Sequence, residues 1–565
     1  MTESTPAERP PRAAATLAVV RDAAEGIEVL LLQRAERGDH NSGAWVFPGG
    51  IVEPGDREAA AAVSSGLADE AASARLGLAT GGLGFHIAAL RECFEECGLL
   101  FATDARGALL QWPDGLPSPL HEWRGRLHRG EATMAELCDA TGTRLALDRF
   151  AYVSHWLTPP GLPKRFDTRF FIAVAPPGQQ PQADGAESLA HLWLSPQAAL
   201  ARGDELKLMN PTRATLKQIA AFANVEALMA WAQSPREVGL IMPRIGSGSK
   251  GRRPVMPTEP AWAEIGRLDP QGRGDACYDI QPEVAVRLSP RLIRVTANNG
   301  SVMTGPGTNS YLVGGGERNE WAVIDPGPLD AAHTAAILAA APGPIHWIFA
   351  THTHLDHSPG CAALQRATGA IVHGRLPAYP EWQDSSFAPE VALTGGERIV
   401  IAGGAATLRV VHTPGHASNH LCYLLEEEET LFTGDHVMQL STVVINPPDG
   451  DMAAYIASLR ELAAGEPLQW LAPGHGFLMA EPRRAFEHII AHRLRREAKV
   501  LASLSAIGPA TAAELLPHVY DDVSPGLHGV AMRSLQAHLG KLKRDAAAIE
   551  SDDGHWAVAG APVSS

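Results

Sequence analysis

The chain has 565 residues, is 45 % hydrophobic and carries a formal net charge of −16. This length exceeds what one hydrophobic core supports and predicts two or three domains, and the composition excludes wholesale disorder. The acidic balance excludes a surface devoted to coating nucleic acid, while leaving room for a local basic patch. Six cysteines (93, 97, 138, 277, 361 and 422) lie without a paired framework, as buried thiols in a reducing compartment do. No stretch reaches the roughly 18 unbroken apolar residues of a membrane helix. The alanine-rich N-terminus has an apolar run of only about eight residues, leading into Arg21 and Asp22. It reads as a first strand rather than a signal peptide, and a cytoplasmic location is expected.

Residues 1–232 alternate strand-like runs (ATLAVV, EVLLLQR, RFFIAV) with helix-like ones and end in LKQIAAFANVEALMAWA. Two short motifs stand among them. FPGGIVEPGD at 47–56 is a glycine-rich loop. LRECFEECG at 90–98 places Glu92, Glu95 and Glu96 at i, i+3 and i+4, on one face of a single helical turn. Like charges so spaced repel by a few tenths of a kcal/mol per pair, and a divalent cation reverses the sign. Taken alone, these nine residues also fit an acidic helix facing water, with Gly98 closing it.

Loop and helix together resemble the Nudix box, GG…E.G[E/D] followed by RE..EE.G. Gly49, Gly50, Glu53, Gly55 and Asp56 stand in the loop, and Arg91, Glu92, Glu95, Glu96 and Gly98 in the helix. Asp56 replaces the usual Glu, and about 27 extra residues separate the halves, an insertion that loop-closure entropy tolerates. A similar insertion marks the nudix hydrolase 19 group, which RFDTRFFIA (165–173) and HLWLSPQAAL (191–200) also resemble. The resemblance covers roughly 14–230. It implies an α/β/α sandwich in which Glu92, Glu95 and Glu96 bind Mg²⁺ or Mn²⁺, with Glu95 and Glu96 catalytic and Arg91 orienting the carboxylates. The implied substrate is a nucleoside diphosphate-X or a coenzyme A-like diphosphate. Arg34, Ala35, Gly43 and Phe47 match the coenzyme A signature of that superfamily, but Asp39 stands where the signature has arginine.

Residues 233–282, rich in Pro, Gly, Ser and Arg, read as a linker or crossover segment. From 283 to 492, short β-branched runs alternate with loops that hold most of the histidines. THTHLDH places His352, His354, Asp356 and His357 just after the apolar run IHWIFA. His416 follows in HTPGHASNH, Asp435 in LFTGDH and His475 in LAPGHG, each after a strand-like run and beside a glycine. One HxH is ordinarily a surface or core pair; seven ligand-type residues at four strand ends are the make-up of a catalytic metal site. Imidazole and carboxylate donors without cysteine suit zinc or manganese. His412, His420 and His436 flank the same motifs as supports or bystanders.

This pattern resembles the metallo-β-lactamase superfamily, an αββα sandwich with a dinuclear site. The resemblance implies that His352, His354 and His416 hold one Zn²⁺ or Mn²⁺ and that Asp356, His357 and His475 hold the second. Asp435 would bridge the two, and Asp356 would count among the catalytic residues. The antibiotic-hydrolysing branch usually has cysteine at the Asp435 position, which argues against β-lactams as substrates. GPGTNSYLVGGG, HTPGHASNH and the tail resemble the β-lactamase-like protein 2 group, whose members end in a winged-helix-like domain. Residues 493–565 fit it, with two helices and a hairpin turning near Asp553 and Gly554. Arg533, Lys541, Lys543 and Arg544 lie on the second helix with no acid between them, which is compatible with RNA. The resemblance implies phosphodiester hydrolysis of single-stranded RNA. Glyoxalase II-type thioesterases share HxHxDH, so a small thioester is the alternative, and a metabolite-sensing, non-catalytic Nudix domain is another. The expected architecture is an α/β and α+β multidomain protein with no membrane partner; the sequence does not speak to oligomeric state.

Overall fold

The computed structural model describes residues 10–35, 42–58, 63–439 and 442–560, and the chain divides into two compact units, Met1–Arg244 and Ile245–Ser565. Asp39 lies outside the described residues.

Among the described residues, the first unit is built on an eight-stranded mixed sheet. Its spine runs Leu240–Ile241, Ala151–Leu157, Phe166–Val174, Arg12–Ala23, Gly26–Arg34 and Trp45–Val46. Gly49–Ile51 also pairs with the fourth of these strands and Ser188–Leu194 with the fifth. The run at Leu17–Val20 is buried on both faces, as a strand lying parallel to Phe166–Val174 at the middle of a covered sheet must be. The helix Gly82–Cys97 is buried along its whole length. Leu83, Ile87, Leu90, Cys93, Phe94 and Cys97 join Leu17, Val19, Leu30 and Leu32 in one core. Part of the insertion folds as a helix of its own, Asp69–Leu76. Its Asp69 carboxylate accepts the N–H groups of Gly81 and Leu83, both at 2.9 Å, and so caps the buried helix.

The second unit contains a seven-stranded and a six-stranded sheet among its described residues. The first runs Val286–Ser289, Leu292–Thr296, Asn309–Gly315, Glu320–Ile324, Ile345–Phe349, Ile371–Gly374 and Val391–Ala392. The second runs Arg398–Ile401, Ala406–His412, Leu421–Leu425, Thr430–Gly434, Trp470–Pro473 and Met479–Ala480. Leu292, Tyr311, Ile324 and Phe349 from one meet Leu408, Tyr423, Leu425 and Phe432 from the other in a shared core, the packing of a β-sandwich. Ile337 and Leu364, on the helices Ala331–Ala340 and Gly360–Thr368, cover the outer face of the first sheet. Tyr455, Leu459 and Phe486, on Met452–Ala464 and Pro482–Ile507, cover the second.

Residues 245–282 belong to this unit and carry structure. The helix Trp262–Leu268 buries Glu264 against Arg294 at 2.6 and 3.0 Å, and Ile265 packs in a small cluster with Phe477. The tail forms the helices Ala512–Val519 and His528–Arg544 and the hairpin Ala548–Glu550/Trp556–Val558 around a core of Leu515, Leu535, Leu539 and Trp556. No helix among the described residues is long and apolar enough to cross a membrane.

Candidate active sites

In the second unit, the strand Ile345–Phe349 releases the chain into the loop carrying His352, His354, Asp356 and His357. Asp325, at the end of the neighbouring strand, accepts both the N–H and the hydroxyl of Thr351 at 2.7 Å and so fixes the start of that loop. The loops after Ala406–His412, Thr430–Gly434 and Trp470–Pro473 deliver His416, Asp435 and His475 to the same place. Gly474 is required there, because a Cβ on it would lie 2.7 Å from Asp435 Oδ1 and 2.8 Å from His357 Cε1.

His352 Nε2 and His416 Nε2 lie 2.9 and 3.0 Å from His354 Nδ1. His357 Nε2 and His475 Nε2 lie 3.5 and 3.4 Å from Asp356 Oδ2. Asp435 stands between the trios, with Oδ1 at 3.3 Å from His357 and 3.2 Å from His475, and Oδ2 at 3.7 Å from His416. In each of the groups His352/His354/His416, His352/His357/Asp435 and Asp356/His357/His475, one donor atom per residue lies within 4.8 Å of the others.

Four of the five rings are held from behind through their second nitrogen. His357 Nδ1 meets Asp325 at 2.9 Å, His416 Nδ1 the Val444 carbonyl at 2.7 Å, His475 Nδ1 the Gly307 carbonyl at 3.1 Å, and His352 Nδ1 the Thr351 hydroxyl at 3.0 Å. Such contacts set tautomer and ring angle for a metal ligand. Of the flanking histidines, His420 stacks on His352 at 5.1 Å, and His436 bonds Ser458 at 3.0 Å. His412 meets the Ser418 carbonyl at 3.2 Å. Asp325, Gly307 and Val444 are not among the residues the sequence points to one by one; the local signals are an acid ending the run WAVID just before Pro-Gly, and the stretch GPGTNSYLVGGG that holds Gly307.

The donor set fits a pair of divalent cations. His357 Nε2 and Asp435 Oδ1 are buried without a hydrogen-bond partner, a costly arrangement unless something positive lies between them. Burial, then the neighbouring His357, push His352 well below the ordinary histidine pKa, and burial with His416 takes His354 to about 3. Burial also opposes protonation of His357 and His475, but nearby carboxylates outweigh it. Asp356, Asp435 and Asp325 hold His357 well above its usual value, and Asp435 and Asp356 raise His475 to about 9. Both shifts answer to the negative charge of Asp356 and Asp435, which divalent cations would also satisfy.

In the first unit, the helix Gly82–Cys97 and the glycine loop fold against each other. Arg91 is the link. Its guanidinium donates to both oxygens of Asp56 (3.0 and 3.1 Å), to Glu92 (3.0 Å), to Glu95 (3.2 Å) and to the Ile51 carbonyl (2.9 Å). Glu96 accepts the Gly49 N–H at 3.2 Å. Gly50 passes so close that a Cβ would lie 2.2 Å from Glu92 Oε1. Asp56 therefore serves where a longer acid is usual, since it reaches Arg91 with both oxygens. Glu92, Glu95 and Glu96 are buried, with desolvation raising all three carboxyls and taking Glu92 to about 7. One arginine for four acids leaves the cluster short of positive charge, which suits a divalent cation. Arg124, which donates to the Glu95 carbonyl at 2.9 Å, and His128, 4.0 Å from its carboxylate, were not legible in the motif.

Comparison with known proteins finds the same domain families in the same order. The Metallo-beta-lactamase superfamily model matches residues 303–475, and the Beta-lactamase associated winged helix domain matches 511–556. A NUDIX domain model matches 11–64 and the NUDT19 Nudix domain matches 68–211. An atrochrysone carboxyl ACP thioesterase from Aspergillus fumigatus is 32 % identical over 294 residues, spanning 49 % of this chain and 89 % of that protein. A Beta-lactamase-like protein 2 homolog from Drosophila melanogaster is 31 % identical over 272 residues, 46 % of this chain and 90 % of that one. The crystal structure of a NUDIX hydrolase from Alicyclobacillus acidocaldarius is 31 % identical, covering 41 % of this chain and 98 % of its own, with a TM-score of 0.34. The chain belongs to the metallo-β-lactamase superfamily, as a hydrolase that carries a Nudix domain before the sandwich and an associated winged helix after it.

Proposed function

We propose that the second unit is a dinuclear thioesterase and that the first hydrolyses a nucleoside diphosphate-X or coenzyme A-like diphosphate with Mg²⁺ or Mn²⁺. The observation that carries the thioesterase reading is the placement of His354, Asp356, His416, Asp435 and His475 on the wall of a cavity of about 490 Å³, whose other residues include Met303, Tyr379, Trp382 and Met438. His352, His354 and His416 would hold one Zn²⁺ or Mn²⁺, Asp356, His357 and His475 the other, with Asp435 between them. Cations bound there lower the pKa of a water and neutralise charge that develops on oxygen. The side chain of Asp356, 27 % exposed, orients the water and takes its proton. The water oxygen bonds to the thioester carbonyl carbon, the C–S bond breaks, and the thiolate leaves to collect a proton.

Single-stranded RNA, implied by the resemblance to the β-lactamase-like protein 2 group, has less support. The basic helix that would meet phosphates is largely neutralised within the unit. Lys541 pairs with Glu497 and Asp545, Lys543 with Glu550 and Arg544 with Asp451. Binding RNA there means breaking those pairs before phosphates gain anything.

The test is direct. Protein loaded with Zn²⁺ or Mn²⁺ is given acyl-coenzyme A, S-lactoylglutathione and single-stranded RNA, and its metal content is measured. Thioester cleavage is expected, with close to two transition metals per chain that are lost in a His352→Ala/His354→Ala variant. Cut RNA beside intact thioesters would reverse the reading. Glu95→Gln is expected to abolish diphosphate hydrolysis and spare thioester hydrolysis. Unchanged diphosphatase activity in that variant would take the hydrolysis away from the Nudix site, and no such activity in the native protein would make the Nudix domain a sensor.

A further inference from the structure

The four basic residues of the helix His528–Arg544 are not alike. Lys541, Lys543 and Arg544 each sit in an ion pair, with Arg544 Nη2 at 2.7 Å from Asp451 Oδ1. Arg533 is exposed and, among the described residues, meets no acid. It lies on the wall of the cavity that holds the metal-ligand cluster. Arg544 shows how it gets there. Asp451 caps the helix Met452–Ala464 of the sandwich, so its pair with Arg544 ties the winged helix to the sandwich at that point. Arg533 stands about three turns earlier, about 16 Å along the axis and on nearly the same helical face. The anchor at one end therefore sets the cation at the other.

The rest of the cavity wall supplies apolar surface. Tyr379 and Trp382 are 48 % and 81 % exposed, and Met303 is 42 % exposed. Trp382 has φ of 70°, a backbone conformation that costs a bulky residue energy and tends to persist where function uses it. The charged wall groups outside the ligand cluster are Arg533, Glu381 and Asp449. Asp449 is engaged by the Ser418 N–H at 3.1 Å and by Gln383 Nε2 at 3.0 Å. Arg533 is thus the one guanidinium or ammonium among the described lining residues, on the same cavity wall as the two aromatic rings.

We infer that Arg533 is a specificity residue, binding an anionic group of the substrate (carboxylate or phosphate) remote from the scissile bond while Tyr379 and Trp382 carry its planar or apolar portion. This rests on the thioesterase reading for the identity of the scissile bond. A guanidinium suits the role because its planar fork meets either anion with two hydrogen bonds.

Binding of non-hydrolysable thioethers, measured by calorimetry, tests this without turnover. The probes are an S-alkyl coenzyme A, with phosphates on the thiol side, an S-carboxyalkyl N-acetylcysteamine, with a carboxylate on the other side, and a neutral S-alkyl N-acetylcysteamine. Arg533→Met is expected to weaken at least one anionic probe about tenfold and to leave the neutral one unchanged. Arg533→Lys is expected to recover part of the loss. Trp382→Ala is expected to weaken all three. The anionic probe that loses affinity tells which side of the thioester carries the recognised group. Equal affinity of native protein and Arg533→Met for both anionic probes overturns the proposal, as does an equal loss for the neutral probe. If thioesters are not turned over and Arg533→Met still weakens an anionic probe, the thioesterase reading falls and the anion site stands.

Discussion

Asp325 sits one layer behind the ligand cluster and does two jobs with one carboxylate. It ties down Thr351 at the root of the HxHxDH loop and accepts from His357 Nδ1, all within 2.7–2.9 Å. Its backbone is left-handed, with φ of 51°, which the double hydrogen bonding keeps in place. Asp325→Asn keeps the shape but removes the charge, so His357 loses the partner that makes it a stronger ligand. The expected result is a 10- to 100-fold weaker hold on one of the two metals, with the other little changed, read by competition with a chelator. Equal retention of both metals would show that Asp325 serves only the loop. The residues that converge in the donor cluster were legible in sequence because they lie a few positions from strand ends, in motifs that carry a glycine. Those behind them were not. Asp325, Gly307 and Val444 meet the ligands only through chain separations that no local spacing encodes, and two of the three act through a backbone carbonyl that has no residue signature.

At the scale of the element, the helix Gly82–Cys97 shows why a motif can be read and its surroundings misjudged. On spacing alone, Glu92, Glu95 and Glu96 also fit a helix facing water, yet all three are buried, because the glycine loop lies on that face and Arg91 reaches across it. The insertion before the helix, legible only as extra length, supplies its cap. Asp69→Ala leaves the Gly81 and Leu83 N–H groups unpaired, and a loss of about 1 kcal/mol in unfolding free energy is expected from denaturant titration. One turn in from that cap, His86 is buried against Phe171 at 4.5 Å, with Nδ1 at 3.0 Å from the Gly82 carbonyl. Burial lowers its pKa to about 4, with Arg75 adding to this and Asp69 opposing it. Above pH 6.5 the ring is neutral folded or unfolded and contributes nothing. Below that the unfolded chain takes up a proton that the folded one refuses, so stability falls with pH until about pH 4, by about 3 kcal/mol in all. His86→Gln is expected to flatten the stability curve between pH 6.5 and 4 relative to the native protein; parallel curves would show that the ring charges freely where it lies.

The molecule as a whole is two units that each own a core and a site. Leu17, Leu30, Leu90 and Phe94 belong to one buried cluster of the first, and Leu292, Phe349, Tyr423 and Phe432 to one of the second. The Pro- and Gly-rich stretch between 233 and 282 looked like a single connector in sequence, because composition reports loops without saying which core they serve. In the structure its parts are divided. Leu240–Ile241 extends the sheet of the first unit beside Ala151–Leu157, whereas Arg253–Val255 and Trp262–Leu268 pack in the second, where Glu264 also accepts the Leu478 N–H at 2.8 Å. The chemistry of the junction therefore lies between Ile241 and Arg244, not at either end of the polar stretch. Cutting there, residues 1–242 and 243–565 are each expected to give cooperative thermal unfolding when produced separately, because among the described residues the cut divides no strand and leaves the two large cores whole. Diphosphate hydrolysis should follow the first piece and metal-dependent thioester hydrolysis the second. A cut at 232 instead removes Leu240–Ile241 from the edge of the first sheet and should lower the melting temperature of that piece. If 1–242 melts no higher than 1–232, the edge strand contributes nothing and the boundary lies where the composition changes.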